Sequence, residues 1–155
     1  MARPLTLRIV VVDGEHARFV QPDEDNALRT VGSFDSASAH RRSRDLGSDR
    51  PGRSFESGAS ARHALGQRHD LHAMEKAKFI RLVGEQINAA SVGDEFDELL
   101  LVAPAHVLRE LHKAMDTATQ AKLIGTLDKD LVKTPDHELW QHVREPVSPA
   151  RRPLA

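Results

Sequence analysis

The residues best placed to do chemistry in this 155-residue chain are arginines around a turn, in the stretch Gly47-Ser48-Asp49-Arg50-Pro51-Gly52-Arg53-Ser54-Phe55. Proline fixes its φ and glycine accepts a left-handed one, so Pro51-Gly52 sets a tight turn that presents Arg50 and Arg53 as two planar forks. Each fork can hold a phosphate or carboxylate through paired hydrogen bonds. Arg41, Arg42, Arg44 and Arg62 add local positive charge. The candidate binding residues are therefore Arg50, Gly52, Arg53, Asp49, Arg44 and Arg62. Asp49 can instead neutralise an arginine and close a self-contained latch; turn chemistry allows ligand contact and latch equally.

Other chemistries are less complete. His63, His69 and His72 crowd three imidazoles together, and His69-x-x-His72 can share one helical face for zinc, but no neighbouring carboxylate completes a catalytic zinc pattern. A two-metal nuclease of the ribonuclease-H type needs converging carboxylates holding ions about 4 Å apart. Asp13 ends the first strand and Glu75 or Glu85 lies on the helix, yet the fourth strand ends in Val102-Ala103-Pro104, where the third carboxylate should stand. Serine-hydrolase, P-loop and dinucleotide motifs are absent. The chain thus shows no catalytic constellation, and neither metal nor cofactor is expected.

These groups need a frame. Leu5 to Val12 is apolar and β-branched with Arg8 its single charge, which predicts a strand buried on both faces. Asp13-Gly14 predicts a type I′ hairpin into a strand over Glu15–Gln21, and a third strand follows the turn at Pro22–Asn26, completing an antiparallel meander. Between Phe34 and His72 seven arginines and four histidines occur without apolar period, which reads as a long loop over about 35–71. Phe79, Ile80, Val83, Ile87 and Ala90 recur at helical spacing and predict a helix over about 71–90. Leu99–Ala103 predicts a central buried strand, Pro104 opens a helix, and Leu123–Leu127 closes a parallel crossover. Thr134-Pro135 supplies an N-cap and first-turn proline for a last helix carrying Leu139, Trp140 and Val143. The expected fold is a single α/β domain over 1–145, a mixed five-stranded sheet with flanking helices of the ribonuclease-H-like class, with a flexible tail over 146–155.

Composition narrows the partners. The net charge is −1, from 22 basic and 23 acidic residues, so no global field draws the protein to nucleic acid, and recognition must come from local patches. No cysteine is present, no full signal-peptide core precedes Asp13, and nothing approaches the ~20 apolar residues of a membrane span. A cytoplasmic location without membrane contact is the expectation.

Val11-Val12-Asp13-Gly14-Glu15-His16-Ala17-Arg18-Phe19, the Ser48–Phe55 loop, Phe96-Asp97-Glu98-Leu99-Leu100-Leu101-Val102-Ala103-Pro104, Leu127-Asp128-Lys129-Asp130-Leu131 and the Thr134-Pro135 helix together resemble the bacterial host attachment proteins, in order and over nearly the whole chain. That family is similar to the catalytic middle domain of archaeal and eukaryotic peptide-chain release factors. The resemblance implies a task connected with tRNA, ribosomal RNA or the ribosome. The chain departs from the release-factor pattern in having no Gly-Gly-Gln; Gln67 follows a single Gly66. Peptidyl-tRNA hydrolysis is thereby placed in doubt, while binding of an anionic partner through the arginine-rich loop stands. The alternative is a protein-interaction or regulatory module that meets an acidic protein surface and affects attachment indirectly.

Overall fold

Strand β1, Leu7–Val12, is buried along its whole length, as an apolar β-branched run between two packed faces must be. The computed structural model describes residues 5–37, 61–144 and 146–147, with the side chains of 61–70 outside it. From β1 the chain turns into β2, His16–Pro22, and β3, Leu28–Asp35. It continues through α1, Ala61–Val92, β4, Glu98–Ala103, α2, Ala105–Ala114, the short α3, Thr117–Gln120, β5, Leu123–Asp128, and α4, Asp136–Val143. The five strands form one open sheet in the order β3-β2-β1-β4-β5. β1 pairs antiparallel with β2 and parallel with β4, and β4 pairs parallel with β5. The meander and the crossover therefore meet at β1, as the sequence predicts, and β4 lies between parallel neighbours with its apolar run buried.

Alternation along β1 divides the interior in two. Val10 and Val12 face Phe79, Ile80, Val83 and Ile87 of α1 and Val107 and Leu111 of α2. Leu7, Ile9 and Val11 face Leu139, Trp140 and Val143 of α4. Burying each such side chain contributes about 1.5–3 kcal/mol before chain entropy is counted, so both layers are needed. The two helices of the first layer meet closely: a Cβ on Gly84 would stand 2.5 Å from the Ala114 Cβ. Trp140 anchors the opposite layer, donating from Nε1 to the Asn26 carbonyl at 2.6 Å.

Several expectations are corrected. The β1–β2 turn is not type I′, since among the described residues only Asn26 and Asp94 take a positive φ. Asp13 Oδ1 instead accepts from the Glu15 and His16 amides at 2.7 and 2.6 Å, a side-chain-capped turn that needs no left-handed backbone. α1 begins at Ala61, ten residues before the expected start, so the segment read as loop over 35–71 is helical from 61 onward. Residues 71–78 of that helix are all exposed; apolar periodicity reports burial, and an unpacked helical segment carries none. Pro135, rather than Thr134, occupies the N-cap of α4 and offers no side-chain cap. The tail boundary also shifts, because Val147 is 1% exposed in the second core. Among the described residues no helix is long and apolar enough to cross a membrane.

Candidate functional site

The carboxyl ends of β1 and β4 and the end of β3 lie along one edge, the edge where ligands usually meet open α/β sheets. α1 crosses it at Gly14, where the Lys76 side chain would lie 3.3 Å from an added Cβ. His72 Nε2 stands 3.8 Å from Glu15 Oε1 one turn earlier. Back from Lys76 to Ala61 the helix continues for about 22 Å at ~1.5 Å per residue. The chain leaves β3 at this edge, where Asp35 pairs with His16, and residues 38–60, which hold the arginine-rich turn, lie outside the described residues.

Beside this edge opens a cleft of about 410 Å³ lined by His16, Arg18, Ser33, Phe34, Asp35 and Lys133. Its most elaborate group is Arg18. The guanidinium donates to the carbonyls of Leu131, Val132 and Thr134, to Thr30 Oγ1, and to Asp136 Oδ1. Asp136 in turn accepts from the Thr30 amide at 2.8 Å and from the Thr30 hydroxyl. Burial pushes the Asp136 carboxyl up, but the two Thr30 hydrogen bonds, the Arg18 hydrogen bond and the Arg18 charge outweigh it, so its pKa lies below the ordinary carboxylate value. With its donors committed to protein acceptors, Arg18 ties β2 and β3 to the α4 segment and holds the cleft wall in place. His16 Nδ1 lies 3.4 Å from Asp13 Oδ1 without a hydrogen bond to it, and that oxygen serves the two turn amides. Among the described residues Ser33 and His16 share no hydrogen bond, and this cleft assembles no nucleophile and base.

A second groove, of about 350 Å³, lies at the far end of the α1 face and has Arg8 in its wall, with Phe19, Gln21, Val31, Gln86 and Glu95. Arg8 is 9% exposed. Among the described residues its side chain makes one hydrogen bond, from Nη2 to Gln21 Oε1 at 3.2 Å. Its Nη2 stands 3.7 Å from Glu95 Oε1, its guanidinium carbon lies 5.8 Å above the Phe96 ring, and its Nε has no acceptor.

Asp49, Arg50, Gly52, Arg53 and Arg44 lie outside the described residues, and so do Arg41 and Arg42. Arg62 belongs to the first turn of α1, with its side chain outside the description, as are those of His63 and His69. His72, Glu75 and Glu85 are exposed and Asp13 is committed to its turn; among the described residues no group of three His, Asp or Glu side chains is placed to hold a metal. The Arg18–Asp136 pairing was not foreseen in the sequence, because the partners are 118 residues apart. Arg8 carried a visible signal, one charge inside an otherwise apolar strand.

An open mixed α/β sheet, with a polar latch on one face and a long helix passing its carboxyl edge, defines an α/β domain of the meander-plus-crossover class. Within that class the chain belongs to the family of proteins required for attachment to host cells, whose model matches residues 8–143. The match begins at Arg8 in β1 and ends at Val143 in α4, so it takes in all of the sheet but Leu7, and both latch partners. No curated protein matches the chain.

Proposed function

We propose that this host attachment family protein is a cytoplasmic, release-factor-like domain that binds structured RNA of the translation apparatus, tRNA or ribosomal RNA. The binding groups are Arg50 and Arg53 across the Pro51-Gly52 turn, with Asp49, Arg44 and Arg62 around them. The observation that carries this reading is the exposed stretch 71–78 of α1, which carries His72, Lys76 and Lys78 past the Asp13–Glu15 turn at the carboxyl edge of the sheet. A backbone-following RNA contact needs cations spread along an accessible element and no deep pocket. The lack of Gly-Gly-Gln separates binding from hydrolysis. Attachment to host cells is then an indirect outcome.

A second reading, an acidic protein surface as partner, is favoured by Leu71 and Met74, 56% and 64% exposed on the same stretch, because apolar side chains there suit a protein interface better than phosphates. Capture of partners from lysate with and without ribonuclease separates the two. RNA binding that weakens steeply with salt, as counterion release requires, and that falls when Arg50 and Arg53 are both replaced by alanine supports the RNA reading. Capture of an acidic protein that survives ribonuclease supports the second and overturns the first.

A further inference from the structure

We propose that the groove over Arg8 binds a small organic monocarboxylate, with Arg8 as the recognising cation. This site is separate from the arginine-rich segment and does not depend on it. A guanidinium offers five N–H donors and cannot shed its charge. With the Arg8 side chain only 10% exposed, it should find protein acceptors for nearly all of them. Among the described residues Arg8 has one, Gln21 Oε1, and a solvent-inaccessible Nε without any, while its side chain lines the groove. Glu95 does not make up the difference: its Oε1 is 3.7 Å away, beyond hydrogen-bond length, and its side chain is 57% exposed. An arginine held in this way on the central strand is matched to an acceptor that enters from the groove.

The surroundings select the ligand. Phe19, Val31 and Ala89 give the groove apolar surface, with Val31 49% exposed beside it, and Gln86 adds an amide at the rim. Val31 is the extra residue where the β2–β3 register shifts, between Gly32 opposite Phe19 and Thr30 opposite Val20; such a bulge re-aims a side chain. One buried cation with a carboxylate already at the rim suits a monoanion and repels a phosphate dianion. A carboxylate on Arg8 with a short hydrocarbon or aromatic body along Phe19, Val31 and Ala89 satisfies both the charge and the walls, and about 350 Å³ is within the usual size of such sites. On binding, it displaces Glu95 from Arg8.

The test titrates the full chain with acetate, hexanoate and benzoate, with benzamide and inorganic phosphate as controls, following the Arg8 Nε–Hε signal and the Gly32 and Ala89 amides by NMR. A saturable response to hexanoate or benzoate, with none to benzamide or phosphate, is the expected result. Glu95→Gln removes the competing carboxylate at an exposed position and should tighten binding several-fold. Arg8→Lys keeps the charge but loses the fork, and should weaken binding at least about tenfold. No saturable response to any carboxylate in both the wild type and Glu95→Gln overturns the proposal. So does an equal response to benzamide, or a response to phosphate alone.

Discussion

Arg8 and Arg18 sit on adjacent strands of one sheet, and the way each is satisfied differs. Arg18 spends its guanidinium on three backbone carbonyls, a threonine and Asp136. Arg8, more deeply buried as a whole residue, has one glutamine oxygen and a distant, exposed carboxylate. The first pattern is that of a structural tie, in which removing either partner strands the other. The second is that of a cation kept for something outside the chain. Arginine on a buried strand is therefore not one signal; its acceptor inventory decides what it does.

The largest effect should come from breaking the satisfied arginine. Asp136→Ala leaves Arg18 and the Thr30 amide without their carboxylate and should cost about 2–3 kcal/mol in urea unfolding, toward the lower end because the Asp136 side chain is about a third exposed. A loss below about 0.5 kcal/mol would remove the latch from the comparison.

Next is the close approach of α1 and α2. Gly84→Ala places a methyl 2.5 Å from the Ala114 Cβ, and helices that close must part or distort, at about 1–3 kcal/mol. The double change Gly84→Ala with Ala114→Gly should recover most of that loss, which a simple helix-propensity effect would not do.

Acid sharpens the same contrast. Because the Asp136 pKa is lowered by folding, its contribution is fully present above the unfolded carboxylate value of about 3.9 and is lost as pH falls through the lower folded value. The stability difference between wild type and Asp136→Asn should therefore shrink over that acidic window and hold steady from about pH 5 to 7. A difference that grows on acidification would contradict the sign. The smallest effect belongs to the arginine-rich turn: replacing Arg50 and Arg53 together by alanine should move stability by no more than about 0.5 kcal/mol while partner binding drops.

The sheet was legible where burial writes itself into residue type. Leu99–Ala103 and the Leu7–Val12 part of the run read from Leu5 are two-sided buried strands, although Leu5 itself is 54% exposed, and Phe79, Ile80, Val83 and Ile87 read as one helical face. Legibility failed where the deciding contact is a side chain onto backbone or lies far along the chain. Asp13 closes its turn with its carboxylate instead of a left-handed φ, and residues 71–78 of α1, all exposed, carry no buried stripe to announce the helix. Of the two arginines, Arg8 stood out by its setting in β1, but nothing in its neighbours said that Glu95, 87 positions on, would reach it so poorly. Arg18 looked like an ordinary outward residue of an alternating strand and became the hub of the latch once Leu131–Asp136 folded across it.

The contrast between the two arginines is tested most directly by unfolding wild type, Arg18→Met and Arg8→Met side by side, each with and without benzoate. Methionine keeps the aliphatic length of the side chain and removes the charge. The account predicts that Arg18→Met loses about 2–3 kcal/mol and keeps its stabilisation by benzoate. It predicts that Arg8→Met is as stable as wild type or slightly more so, since a poorly paired buried charge is gone, and that benzoate no longer stabilises it. An Arg8→Met protein as destabilised as Arg18→Met, or one still stabilised by benzoate, would contradict it.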